Sequence, residues 1–278
     1  MNYTLVYTSS RGSVEFSLTS GYVLDTFDSP HSIDVEFITS TGSKSYGEKV
    51  ESQKVLPKTI VLTGTILGEA KEKKKNLLRV LAPMQKGTLQ YNGQYFMDVY
   101  PKQSPVVESQ NRNPRFSFML YAPMPYWHNS GGTTVNMYGV DGLFSFPWDW
   151  GSSFQFSAIR HGAVNVENDG DAPCTWELTV IAKGEVKNPC ITKTSTGEYV
   201  RVNITLAAGQ KLFVSTVNDE MSVVLVDEIG NEVDVFSYLD IGSTSFYLDV
   251  GDNLMEFTPA SEQVNATVNF YKNYAGVV

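Results

Sequence analysis

The sequence predicts a mainly β protein in two domains, 1–130 and 131–278, with a single helix flanking the first. Three observations carry this. Short runs that alternate apolar with polar residues recur along all 278 residues. Aromatics reach 12%, with 15 Tyr and 15 Phe, and 22 glycines serve turns, a composition that suits pleated surfaces and tight connections. Only one stretch has the 3.6-residue period of a helix.

The first strands follow from alternation. Val14, Phe16 and Leu18 alternate with Ser13, Glu15 and Ser17, and Ile33, Val35 and Phe37 alternate with Ser32, Asp34 and Glu36. Ile60, Leu62, Gly64 and Ile66 share one parity. The helix comes next, over Glu69–Leu81: Ala70, Leu77, Leu78 and Leu81 form one stripe, Gly68 caps the start and Pro83 stops the end. Lys71, Lys73, Lys74, Lys75 and Arg79 occupy mostly the other face. Two readings compete for them. One is a solvated face whose lysine stems lie over apolar surface. The other is a nucleic-acid patch, which would call for interleaved aromatics and a basic total that the sequence lacks.

After the helix, Leu89 and Tyr91 lead through Asn92-Gly93 to Tyr95, Met97 and Val99. Asn-Gly between alternating runs predicts a type I′ hairpin. Phe116, Phe118 and Leu120 form another strand, and "APMPYWHNSGGTT" then breaks the pattern, placing the domain boundary near residue 130. Beyond it, runs led by Trp176, Val200, Leu212, Phe246 and Val264 are separated by "NDGDAP", "TSTGE", "AAGQ", "EIGNE" and "VGDN". Strands at that spacing describe a two-sheet antiparallel sandwich. Whether the Val264–Phe270 run closes this sandwich or returns to the first domain stays open.

A net charge of −9 argues against accumulation of the whole protein on nucleic acid or anionic lipid. Cys174 and Cys190 are too few for a disulfide framework, and the expectation is two reduced thiols. The opening residues, MNYTLVYTSSRGSVEF, show no basic segment followed by an apolar run, so no signal peptide is expected. No stretch is long and apolar enough to cross a bilayer.

Motifs that carry chemistry are missing. His31, His128 and His161 are far apart and none stands at metal spacing; there is no GxSxG, GxxxxGK[ST] or GxGxxG. Acidic pairs such as Asp169/Asp171 and Asp227/Glu228 sit at turns. The expectation is no catalytic centre, no cofactor and no metal. One segment stands out, "GLFSFPWDWGSSFQF". Trp148 and Trp150 flank Asp149 and are the candidate site residues, able to stack on a sugar ring. The other reading has these aromatics filling the seam between two domains.

The order of segments resembles the siphovirus-type phage distal tail proteins. In the first half the match is "TG.I.G" at Thr63-Gly64, Ile66 and Gly68, then "P…G.L.Y.G" at Pro83, Gly87, Leu89, Tyr91 and Gly93, then Pro125-Tyr126-Trp127. The second half adds "NDGDAP", "NPCITKTSTGE" and "LDVGDN". The segment around Trp148 and Trp150 matches no motif of the family. The resemblance implies a structural virion protein rather than an enzyme. It implies a tail-tube-like β-barrel domain with one flanking helix, followed by a galectin-like β-sandwich. It further implies a homohexameric ring at the distal end of the tail, assembled in the host cytoplasm. That ring would join the major tail (tube) protein to a tail-associated fibre or spike protein, and in some phages to receptor-binding proteins. No sequence-specific nucleic acid and no membrane partner is implied. The alternative is a carbohydrate-binding sandwich that recognises host wall glycan.

Overall fold

The computed structural model describes residues 3–27, 32–42, 46–108, 112–138, 140–142, 157–159, 162–217, 220–259 and 263–277. The chain is mainly β and divides into two compact units. One combines Met1–Gly131 with Asn273–Val278, and the other is Gly132–Lys272.

The first unit is one rolled sheet. Its strands lie in the order Gly12–Phe16, Leu5–Ser9, Gly87–Tyr91, Tyr95–Pro101, Arg115–Ala122, Lys58–Ile66 and Tyr22–Phe27. A bridge between Ser17 and Tyr22 brings the two outer strands together, so the sheet curls into a barrel. The alternation then resolves into an inside and an outside: Leu5, Tyr7, Phe16, Ile60, Leu62, Leu89, Met97 and Phe118 are buried. Two glycines allow close packing. A Cβ on Gly64 would strike the Phe116 ring and the Val23 carbonyl, and one on Gly87 would strike the Tyr7 ring. At the predicted hairpin Asn92 and Gly93 both have positive φ, and Gln94 N–H donates to the Tyr91 carbonyl. The register is Tyr91↔Tyr95, so Gln94 is an extra residue at the turn.

The helix forms over Ala70–Val80, with Glu69 as its N-cap and no side-chain cap bond. The expected cap, Gly68, is one residue too early. The buried stripe also differs. Leu77, Val80 and Leu81 are fully buried, whereas Leu78 is 38% exposed. The helix lies against the Gly12–Phe16 and Lys58–Ile66 strands through an i, i+3, i+4 stripe, and Leu78 stands a hundred degrees round from Leu77.

The chain's last residues complete this unit. The short strand Trp127–Asn129 pairs on one side with Tyr95–Pro101 and on the other with Asn273–Tyr274. Trp127 is fully buried between the Phe27 and Tyr91 rings, and Val277 is buried in the same core. The sequence predicts one domain over 131–278. Asn273–Val278 instead lie with the first unit, because the open side of Trp127–Asn129 takes them as its partner strand.

His128 sits in that three-strand junction, opposite Asn273 and Phe96. Burial lowers its pKa from the ordinary 6.5, outweighing the Asp98 carboxylate and the Asn273 side chain, which act the other way. The unfolded chain therefore takes this proton at a pH where the folded chain refuses it. The contribution is full above 6.5 and falls away as pH drops below it. Thermal melts between pH 7.5 and 5 should show wild type losing more stability on acidification than His128→Gln. Identical pH profiles would remove His128 from the account.

The second unit is a two-sheet sandwich. One sheet runs Thr133–Tyr138, Val264–Phe270, Trp176–Ala182, Lys211–Ser215, Ser222–Val226, Glu232–Asp234. The other runs Val164–Asn168, Gly251–Thr258, Cys190–Lys193, Tyr199–Arg201. Leu178, Val180, Leu212, Val214 and Val268 face Val166, Ile191, Val200, Met255 and Phe257 in one core. Val264–Phe270 belongs here and pairs on both sides. Trp176 closes one end, its indole N–H donating to the Phe246 carbonyl at 2.8 Å. Cys174 and Cys190 are free and buried, and burial pushes the Cys174 thiol up to about 12, which keeps it protonated. Among the described residues no helix is long and apolar enough to cross a membrane.

Candidate assembly surfaces

Between Tyr22–Phe27 and Lys58–Ile66 the chain leaves the barrel as a hairpin. Val35–Ser40 pairs with Lys49–Val55, and among the described residues neither strand joins any other sheet. Every residue of both strands is exposed. The register shows what the alternation meant. Val35 faces Val55, Phe37 faces Gln53 and, past a bulge, Thr39 faces Val50, so Val35, Phe37, Val50 and Val55 share one face. The other face carries Glu36 opposite Lys54, Ser40 opposite Lys49 and, between them, a single apolar residue, Ile38 opposite Ser52. The ribbon is more apolar on one face, and among the described residues that face stays open: Phe37 is 58% exposed. An isolated two-stranded ribbon is marginal in water, and an apolar stripe on it marks a surface that another molecule covers.

In the second unit two loops are fastened together from within. Asn168 is fully buried; its amide donates to the Ala172 and Leu248 carbonyls and accepts from Gly170 N–H. Asn253, also fully buried, accepts from Asp249 N–H at 2.8 Å and donates to the carbonyls of Val166, Asp249 and Gly251. Val166↔Asn253 and Asn168↔Gly251 are register partners, so "NDGDAP" and "LDVGDN" form one construction. Lys193 adds an almost buried ammonium, donating to the Tyr247 carbonyl and, at 2.6 Å, to Asp249 Oδ2. In the sequence these motifs look like ordinary turn formers, and nothing local marks the two buried amides.

The helix lysines resolve as packing and solvent. Lys73 donates to the Leu67 carbonyl at 2.7 Å and lies over the Tyr22 ring, and Tyr22 Oη donates to the Lys73 carbonyl. Lys74 reaches the Val107 carbonyl at 3.5 Å. These contacts fit a solvated face whose stems lie on the fold. Replacing Lys73, Lys74 and Lys75 by Gln should leave self-assembly unchanged by light scattering; loss of a measured affinity for DNA or RNA in that variant would restore the nucleic-acid reading.

Trp148 and Trp150 lie outside the described residues, as do His31 and His161. Among the described residues no three His, Cys, Asp or Glu side chains converge as a metal site. Among the described residues two features stand out: a ribbon that pairs only with itself in the first unit, and two loops held by buried amides in the second. Within the second unit, residues 169–274 are similar to the family described as siphovirus-type tail component, C-terminal domain.

The fold agrees over the full length. The structure of SPP1 Dit, described as a paradigm of the hub adsorption apparatus in phages that infect Gram-positive bacteria, aligns at TM-score 0.70. That alignment covers 98% of this chain and 99% of the other, at 11% identity. A chain of the phage P2 baseplate in its activated conformation with Ca aligns at TM-score 0.57, with both chains fully covered and again 11% identity. At that identity the likeness is one of fold. No curated protein sequence matches the chain. The buried Asn168–Asn253 construction straddles the start of the matched residues and ties them to the Val164–Asn168 strand.

Proposed function

We propose that this chain is a structural hub of the distal end of a siphovirus-type phage tail, working as a closed ring of six copies. The observation that carries the reading is the match of residues 169–274 to the siphovirus-type tail component domain. Two others support it. The whole fold is shared with a Dit hub and with a baseplate chain. The exposed ribbon supplies what a ring needs, a surface unfinished in the single chain.

In this reading the barrel unit forms the ring. A closed ring uses two different patches on each copy, so that one copy's ribbon lands on the next. The apolar face of Val35, Phe37, Val50 and Val55 is buried there, and the Glu36 and Lys54 face stays in water. The sandwich unit carries the contacts to other tail proteins. The tube protein lies above the ring and the fibre or spike protein below. The role is mechanical and requires no catalytic group or cofactor. An acidic protein around the channel suits DNA passage, because a cationic wall would hold phosphates.

Light scattering on a sizing column tests this. A ring of six chains of 30.8 kDa has a mass of about 185 kDa, and closed assemblies have one defined stoichiometry. A peak at that mass is the expected result. A species that stays monomeric at every concentration would take self-assembly out of the reading.

A further inference from the structure

Between Leu212 and Tyr271 the chain has eleven carboxylates and no lysine or arginine, although the net charge of the whole protein is only −9. Within that stretch lies an apolar surface. Val233 and Tyr238 are each 52% exposed, Phe236 is 47% exposed, and Ile241 is fully exposed. These side chains are held out rather than loosely draped. Asp234 Oδ1 accepts from Phe236 N–H at 2.8 Å, and Val235 N–H donates to the Val223 carbonyl. Asp240 Oδ1 accepts from both Gly242 N–H and Tyr199 Oη, and Asp240 N–H donates to the Arg201 carbonyl.

The same surface ends in an open strand. Glu232–Asp234 is the outermost strand of the six-stranded sheet and, among the described residues, pairs only with Ser222–Val226. Its outer side offers unpaired backbone donors and acceptors, a template for one more strand. The charge decides which strand. Glu232 and Asp234 stand at the edge, with Asp227, Glu228 and Asp240 near it in sequence. A second copy of this edge would bring carboxylates against carboxylates, which repels. A strand with lysine or arginine alternating with apolar residues would meet the carboxylates and cover Val233 and Phe236 at once.

We infer that the Glu232–Asp234 edge, with Phe236 and Tyr238 of the turn that follows it, docks an extended, basic and apolar segment of another protein. The backbone ladder supplies affinity and the carboxylates supply selection. This surface is separate from the ribbon of the first unit, and the inference does not depend on ring formation.

The test uses the full chain and a synthetic decapeptide alternating lysine with valine. Glutamate–valine and lysine–serine decapeptides are the controls. Binding is followed by fluorescence anisotropy and located by amide hydrogen exchange. The expected result is binding of the lysine–valine peptide alone, weakening as salt rises, with new protection at residues 232–236. Glu232→Lys with Val233→Lys should lower the affinity by roughly tenfold or more at unchanged Tm. Phe236→Ser, which leaves the edge charges in place, should weaken it as well. No binding, equal binding of the glutamate–valine peptide, or protection elsewhere would overturn the inference. So would a fall in solution mass in the Glu232→Lys/Val233→Lys variant without peptide, which would give the edge to a second copy.

Discussion

Replacing Phe37 and Val50 together by serine should abolish self-assembly while leaving each chain folded. Both side chains stand on the apolar face of the Val35–Ser40/Lys49–Val55 ribbon, and both are exposed in the single chain. They touch neither hydrophobic core, so their loss opens no cavity. At an interface the balance changes. Burying a phenylalanine and a valine contributes about 3–5 kcal/mol together. Losing that at each junction weakens association by about two to three orders of magnitude. Light scattering should show the roughly 185 kDa species replaced by one near 30.8 kDa. Circular dichroism and the thermal midpoint should match wild type. Exchanging Glu36 and Lys54 for glutamine on the opposite face should change little, since exposed ion pairs contribute weakly. A double-serine variant that still forms the full ring would show that the apolar face is not what joins the copies.

Asn253→Ala should be the most damaging single change in the second unit. The side chain is fully buried and serves four backbone groups, the N–H of Asp249 and the carbonyls of Val166, Asp249 and Gly251. Alanine deletes these bonds and leaves a buried N–H and several carbonyls without partners. A single unsatisfied buried group costs about 1–3 kcal/mol, so the total is about 3–4 kcal/mol. In a unit of this size that lowers the thermal midpoint by roughly 10 °C. Asn253→Asp keeps the acceptor for Asp249 N–H but cannot donate, and it buries a charge beside three carbonyls. It should be at least as damaging at neutral pH. Calorimetry checks both variants, and a shift below about 2 °C for alanine would show that the backbone finds other partners.

These two positions show what the sequence made legible and what it did not. The alternation at Val35 and Phe37 predicts a strand with an apolar face, and the strand is there. Period two reports that one side is apolar; it carries no information on whether the cover comes from the same chain. Asn253 fails in the opposite way. A buried amide that satisfies distant backbone has no periodicity, and in the sequence it looks like any turn asparagine. The same limit explains Leu78, which fits the helical stripe but lies just outside the width that two barrel strands cover. The barrel hairpin at Asn92-Gly93 and the strand order of motifs were legible because turn chemistry and alternation are local. The pairing of Trp127–Asn129 with Asn273–Tyr274 was not, since nothing local marks a partner so far along the chain.

That pairing has a consequence for how such a gene can be rearranged. Gly132–Lys272 is an insertion whose two ends emerge from neighbouring antiparallel strands, roughly 5 Å apart as such pairs require. To the barrel, everything between those ends is an elaborated turn. A different module of any size can occupy the same place if its own termini lie side by side, and the barrel will still close around Trp127 and Val277. Recombination at these two points would exchange the inserted module and leave the barrel's own strands unchanged. The barrel also waits for its insertion, because Asn273–Tyr274 is translated after the whole module that it brackets.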